Sequence, residues 1–257
     1  MKPLPFVLVS SDHGSLIVNR NDFHTIASGQ SYGVGFQILN FGCYDPGEVA
    51  EVLTLLKQRR EVVGDGMVVV DCGANIGVHT LEMANYMNGW GRVLAYEPQE
   101  RLFYALCGNI ALSNSFNVSA FNFAVGAECG TTKIPVPNYH KPASFGSLEL
   151  RKTPSTEYIG QSISYNPRDM ADIPIISLDS LRLTRLDFLK IDVEGMELEV
   201  LRGAQGTIAR CRPFMLIEWI KTNQQELEDY LSGINYSFVV RGGNLEALPN
   251  DFHELLS

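Results

Sequence analysis

Residues 68 to 80, Val-Val-Val-Asp-Cys-Gly-Ala-Asn-Ile-Gly-Val-His-Thr, set the reading of the whole chain. An apolar, β-branched run ends in Asp71, and the chain then turns through Gly73 and Gly77. Such a run reads as a buried strand feeding a tight turn and a helix. Glycine belongs in that turn because a Cβ blocks close backbone approach, and the opening amides of the next helix face whatever rests above the strand. The stretch therefore reads as a nucleotide-type binding turn.

Its spacing narrows the ligand. A dinucleotide turn has G-x-G-x-x-G, with the middle glycine admitting a pyrophosphate; here that position is Asn75. A P-loop ends in Gly-Lys-Ser/Thr, and no lysine follows Gly77. Asp71 at the strand end repels a phosphate but accepts hydrogen bonds from an ammonium or, through water, from a sugar. That chemistry suits the amino-acid part of S-adenosylmethionine. Residues 92 to 97, Arg-Val-Leu-Ala-Tyr-Glu, read as a second strand ending at Glu97. An acid closing the second strand of a βαβ unit grips a ribose diol through paired hydrogen bonds.

Composition fits an enzyme domain. At 257 residues and 45% hydrophobic content the chain can bury one large core. Its net charge of −9, from 20 basic and 29 acidic residues, and the lack of a basic run disfavour a partner such as DNA, while a small-site RNA enzyme stays open. The five cysteines, Cys43, Cys72, Cys107, Cys129 and Cys211, are scattered without a C-x-x-C pair, a pattern of free thiols in a reducing, cytoplasmic setting. Cys72 beside Asp71 reads as a packing residue, because the neighbouring carboxylate disfavours a thiolate. The apolar Pro3 to Val9 is too short to span a membrane and reads as an opening strand.

Two zones follow from the rest of the pattern. Residues 1 to 62 form an N-terminal extension, with Ser15 to Asn19 and Gly35 to Leu39 expected as antiparallel strands. Asp45-Pro46-Gly47-Glu48 announces a helix, with Asp45 as N-cap and Glu48 completing a capping box; Val49, Val52, Leu53 and Leu56 form its inward face. From residue 63 to 257 strands and helices alternate, the mark of an α/β domain with a parallel sheet covered on both faces. Leu81, Ala84 and Met87 line the helix after the glycine turn, Leu102, Leu106 and Ile110 line a helix over 101 to 113, and residues 118 to 125 alternate as a third strand. Residues 130 to 175, rich in proline, show no sustained period and read as an acceptor loop or lid. Asp187 to Gly195 gives a strand ending at Asp192, with Glu194 in the first turn of the helix that follows. Pro213 to Trp219 gives another strand, ending at Glu218. Ligands of open α/β sheets lie beyond the carboxyl ends of the strands, so Asp71, Glu97, Asp192 and Glu218 are expected in one crevice.

These residues resemble the FkbM family of S-adenosylmethionine-dependent methyltransferases. The resemblance rests on Val70-Asp-Cys-Gly-Ala-Asn-Ile-Gly77, Tyr96-Glu-Pro98, Ala124-Val-Gly126, Leu178-Asp-Ser-Leu181, Phe188-Leu-Lys-Ile-Asp-Val-Glu-Gly-Met-Glu197 and Leu201-Arg-Gly-Ala204. It implies a Rossmann-like class I methyltransferase fold, with a mostly parallel seven-stranded sheet, a reversed last strand and helices on both faces. It also implies O-methylation of a hydroxyl on a sugar, glycan or polyketide-like small molecule. Carried over by position, Asp71, Gly73, Asn75 and Gly77 hold the methionine end and Glu97 the ribose. Many relatives place an Asp before the Ala of the third strand, where this chain has Phe123, so the adenine contact falls to Asn122 or Phe123. Ala143-Ser-Phe-Gly-Ser-Leu148 matches an acceptor loop only loosely. The N-terminal extension receives no help from the resemblance.

Methyl transfer is an in-line displacement, and an aliphatic hydroxyl needs a base worth about 10²- to 10⁴-fold. Asp192 is the expected base, with Lys190 two positions earlier on the same strand face to orient it. The competing reading makes Lys190, Asp192 and Glu194 a structural ion-pair and N-cap cluster. His140 in the loop is a second candidate base, whereas His79 reads as packing. Asp192 and Glu218 with an Asn offer hard ligands to Mg²⁺, although nothing in the spacing requires a metal. A nicotinamide-dependent oxidoreductase shares the strand-end acid and glycine turn, with Asn75 arguing against it, and a non-catalytic cofactor-binding scaffold stays open. Nothing in the sequence fixes the acceptor or the oligomeric state.

Overall fold

The computed structural model describes residues 4–252. Pro3, the first residue of the expected opening strand, lies outside them, and the strand itself is β1 (Phe6–Ser11), paired in antiparallel register with β2 (Gly14–Asn19). The two-residue strands β3 (His24–Thr25) and β4 (Ser31–Tyr32) follow, then helices α1 (Val34–Phe41) and α2 (Pro46–Val63). Gly35 to Leu39 is thus helix, not strand. Its apolar residues recur at helical spacing once Val34 and Ile38 are counted, and both are buried. The cap of α2 is half as expected. Asp45 accepts the Glu48 N–H at 3.1 Å, but the Glu48 carboxylate turns away from the cap and accepts from Asn244 at 3.0 Å.

Beyond α2 the chain runs β5 (Met67–Cys72), α3 (Val78–Tyr86), β6 (Gly91–Tyr96), α4 (Glu100–Leu112) and β7 (Val118–Phe121). Next come β8 (Ala124–Val125), β9 (Gly130–Pro135), β10 (Met170–Ile176), a 3-10 turn at Leu178–Leu181 and β11 (Phe188–Ile191). The C-terminal part holds α5 (Glu197–Arg202), α6 (Gln205–Cys211), β12 (Phe214–Glu218), α7 (Gln224–Gly233), β13 (Tyr236–Arg241) and β14 (Asn244–Pro249).

Seven strands form one sheet in the order β13-β14-β12-β11-β5-β6-β7. Pairings from β12 to β7 are parallel, and β14 runs antiparallel between β12 and β13. This is the class I methyltransferase sheet with its reversed last strand. The central strand β5 is buried at every position, as a strand covered on both faces must be.

Residues 118 to 125 are two strands rather than one. β7 ends the large sheet at its edge, while β8 pairs with β10 in a separate three-stranded sheet with β9. The proline-rich stretch is also more ordered than its composition suggests, since both its ends are strands: Met170 pairs with Pro135 and Ile175 with Gly130. Between them Ala143, Phe145, Leu148 and Ile159 are buried against Leu16, Val34 and Ile38. Apolar residues spaced irregularly along a loop carry no period, yet they bury as much area as periodic ones.

The β1–β2 hairpin docks on α4. Gly108, inside that helix, allows the contact, because a Cβ there would meet Ile17 Cδ1 at 2.4 Å. Asn109 seals it. Its side chain accepts from Ile17 N at 2.5 Å and donates to Ile76 O at 2.8 Å, which ties hairpin, helix and glycine turn together with no exposed surface on the asparagine.

Candidate functional site

The glycine turn folds as the sequence requires. Gly73 (φ 86°) and Gly77 (φ 94°) are left-handed, and so is Asn75 (φ 52°), the non-glycine type that tolerates this region best. Asn75 Oδ1 accepts from Ile76 N at 2.8 Å, a local bond that holds the turn. Gly73 is fixed more strictly, since a Cβ there would stand 1.7 Å from the Asp192 carbonyl oxygen. The turn and the end of β11 are thus in contact through backbone alone.

Glu97, just past β6, is 3% exposed and receives two backbone donors: Asn75 N on Oε2 and Gln99 N on Oε1, each at 2.8 Å. Burial nevertheless outweighs these bonds and pushes its carboxyl up to about 7. Asn122, adjacent to the β7 end, donates to the Glu97 and Pro98 carbonyls at 2.8 and 3.1 Å, so its amide fastens the backbone that carries Glu97. Phe123 extends a row of rings, Tyr96 on Phe121 at 5.1 Å and Phe121 on Phe123 at 6.2 Å, both stacked, and it reaches the wall of the cleft above the sheet.

That cleft gathers Gly73, Asn75, Glu97, Phe123, Asp192 and Glu218. Three of the four expected acids converge there. Asp71 does not: it is 1% exposed beneath the turn, accepts from Thr80 at 2.5 Å, and borders a smaller inner cavity shared with Lys190, Asp192, His79 and Tyr44. Its Oδ1 is buried with no hydrogen-bond partner among the described residues, and burial raises its carboxyl. Lys190, opposite Asp71 in the β11–β5 register, is 3% exposed and donates to Asp192 Oδ2 at 2.9 Å. A second ion-pair partner is Glu48 of α2 at 3.9 Å. Lys190 is held charged despite burial, because Asp192, Glu48 and Asp71 surround it.

Glu194 is not in a helical first turn. It precedes α5 in a left-handed turn (φ 57°) and pairs with Lys221 at 2.6 Å, while Glu197 accepts the Val193 and Gly195 N–H groups and fixes that turn. Asp192, Glu194 and Glu218 bring oxygen atoms within 4.8 Å of one another, a set of hard donors of the kind that holds a divalent cation. Burial and mutual repulsion raise the Glu194 and Glu218 carboxyls.

His140 is remote from this chemistry. It is exposed, its N–H is held by Asn138 at 3.0 Å, and it lines neither the cleft nor the inner cavity. His79 is buried 3.3 Å from Glu48, edge-on to Tyr44, and burial beside Lys190 keeps it neutral.

Several lining residues lie outside the cofactor motifs. Tyr32, Gly33, Val34, Gln37 and Tyr44 come from the N-terminal segment, and Ser144, Gly146, Ser147 and Leu148 from the proline-rich one. Lys221 clasps the latter over the cleft, donating to Ser147 O at 2.7 Å and pairing with Glu157 at 3.0 Å, while the Tyr32 hydroxyl also bonds Glu157. Asp22 does the same from below: it is 2% exposed and accepts the N–H groups of Gly35 and Phe145 at 2.9 Å each. The N-terminal strand ends and the Asp45 cap are visible in sequence, but the partners of Tyr44, Asp22 and Glu48 are not.

The methyltransferase FkbM domain family matches residues 71–255. The chain is 29% identical over 158 residues to methyltransferase sdnD of Sordaria araneosa, and 28% identical over 151 residues to methyltransferase 1 of Beauveria bassiana (strain ARSEF 2860). These matches cover 52% and 54% of this chain, and it spans 59% of the length of each relative. A solved structure of a methyltransferase FkbM from Methylobacillus flagellatus KT superposes with a TM-score of 0.51 at 20% identity, covering 72% of this chain and 44% of that one. No helix among the described residues is long and apolar enough to cross a membrane.

Proposed function

The chain belongs to the FkbM methyltransferase family, and from that premise we propose that it transfers a methyl group from S-adenosylmethionine to a hydroxyl of a sugar, glycan or polyketide-like small molecule. Glu97 carries the reading. Its two backbone bonds orient both carboxylate oxygens at the floor of the cleft, and each oxygen keeps a lone pair for one hydroxyl of a vicinal diol. A ribose supplies such a diol. The other lining groups fit the same molecule: Phe123, Val125 and Met196 offer apolar surface for the base, and Asp192 offers negative charge for a sulfonium.

S-Adenosylmethionine brings a methyl group on a positively charged sulfur, the leaving group of an in-line displacement. The chain's own work is to aim the acceptor oxygen along that line, take its proton and exclude water. Asp192 is the proposed base. It stands at the sheet edge with its side chain 29% exposed into the cleft, and the Lys190 bond fixes its orientation. Lys190 is then a positioning residue. Glu218, whose carboxyl burial keeps protonated, donates rather than accepts there. A divalent cation on Asp192, Glu194 and Glu218 would have to displace that proton, and the proposed transfer does not require one.

Calorimetry with S-adenosylhomocysteine and with NAD tests the cofactor, and a mass-spectrometric screen of glycans and small hydroxylated compounds for a gain of one methyl tests the acceptor. Binding of NAD in place of S-adenosylhomocysteine overturns the reading. Cofactor binding with no methylation of any acceptor favours a scaffold. We further propose that the N-terminal segment over residues 1–62 serves the domain over 63–257 as part of its active site, through Tyr44 and Glu48.

A further inference from the structure

A second cavity opens beside the cleft, between the N-terminal half of α2 and the β13–β14 hairpin. It holds about 840 Å³, within the range of about 300–1,000 Å³ typical of small-molecule sites. Tyr44 and Glu218 line both spaces and so stand between them. The Tyr44 backbone is pinned: its N–H donates to His13 Nε2 at 3.0 Å, and His13 Nδ1 faces Glu82 at 2.7 Å. Its hydroxyl has no hydrogen-bond partner among the described residues, and burial next to Asp192 and Glu48 keeps it a protonated donor.

The groove walls are unlike those of the cleft, for they present the acids Asp45, Glu48, Glu51 and Glu246 beside the protonated Glu218. Arg241 is committed to two of them, at 2.7 Å from Glu246 and 3.3 Å from Glu51. Glu51 Oε1 is buried yet makes no well-formed hydrogen bond among the described residues. Burial also raises the Glu48 and Glu51 carboxyls, which a cationic ligand would relieve by displacing a proton.

We infer that this groove is the acceptor site and takes an acceptor bearing a protonated amine, which enters past Tyr44 and Glu218 and leaves anionic acceptors excluded. Its role as acceptor site rests on the methyltransferase reading; its preference for an amine does not. An amine offers a donor to Glu51 and positive charge to acids that Arg241 only partly neutralises, and a carboxylate or phosphate meets like charge. Tyr44 is then a positioning residue, its free hydroxyl donating to an acceptor oxygen beside the reacting one.

Saturation-transfer NMR with glucosamine, methyl α-glucopyranoside and glucuronate tests this, because the three share a ring and differ in charge. The signal for glucosamine is expected to exceed that for glucuronate at least about threefold. The E51Q/E246Q double variant, which leaves Arg241 unpaired, is expected to reverse the order. Asp45→Asn keeps a side chain able to cap α2 while removing one charge, and it is expected to weaken the glucosamine signal should the double variant fail to fold. Glucuronate saturating as strongly as glucosamine, no signal from glucosamine, or an order unchanged in a folded variant each overturns the inference. Calorimetry with S-adenosylhomocysteine on the same sample reports on the methyltransferase reading separately.

Discussion

If Glu97 holds a diol, cofactor affinity is tied to its protonation. In the ligand-free protein its carboxyl is pushed up to about 7 from an ordinary 4.5, so near neutral pH it is half protonated. Two hydroxyl donors favour the ionised form, so a bound diol lowers that value again. Near pH 6 only about one tenth of the ligand-free protein carries the ionised carboxylate, and affinity for S-adenosylhomocysteine is expected to be about tenfold weaker there than near pH 8. Titration calorimetry in buffers of different ionisation enthalpy reads both the affinity and the proton count. Release of nearly one proton per site near pH 6, falling to almost none near pH 8, is the expected signature. Glu97→Gln removes the titration, sets its amide nitrogen against one of the two backbone donors, and weakens binding near pH 8 by about 10- to 100-fold, on about 1.5–3 kcal/mol for a hydrogen bond to a charged group. An unchanged pH profile in Glu97→Gln would falsify the assignment, since the titrating group would then lie elsewhere. The fold follows the opposite sign: a carboxyl raised on folding stabilises the native state below its unfolded value, and that contribution is lost as pH rises from about 4.5 through about 7.

Other perturbations test the frame around the site. Gly73→Ala places a methyl 1.7 Å from the Asp192 carbonyl at a φ of 86°, with only backbone to give way, and is expected to cost about 3 kcal/mol or more, read as a drop in melting temperature. Asn109→Ala strands Ile17 N and Ile76 O in the interior and is expected to cost about 2–4 kcal/mol in denaturant unfolding; a loss below about 0.5 kcal/mol would show that water replaces the amide. Asp192→Asn is expected to lower turnover about 10²- to 10⁴-fold on the acceptor found by the methylation screen, with S-adenosylhomocysteine affinity little changed. Lys221→Met releases Ser147 and Glu157, so limited proteolysis over residues 136–169 is expected to accelerate several-fold, with an unchanged cleavage rate counting against the clasp.

The motif-bearing half of the site was legible in the chain because its geometry is local. Gly73, Asn75 and Gly77 take left-handed backbone within one turn, and β5, β6, β11 and β12 each carry an acid at or next to the carboxyl end, where the pattern of the strand places it. Loops that pack by scattered apolar residues leave no such trace, so the ordered stretch from 136 to 169 looks irregular in the sequence. Gly35 to Leu39 suggests a strand because five residues are too few to tell a helix from a strand by period.

The sequence by itself determined the sheet, the glycine turn and the family, for these depend on residue types at short spacings. Tertiary structure alone decided that Asp71 lies beneath the turn rather than in the cleft, and that Glu48 reaches Lys190 from one side and Asn244, 196 positions away, from the other. It also set Tyr44 between cleft and groove and left His140 at the surface. Burial, hydrogen bonding and the resulting charge states depend on which distant segments pack together, and no spacing within one segment records that.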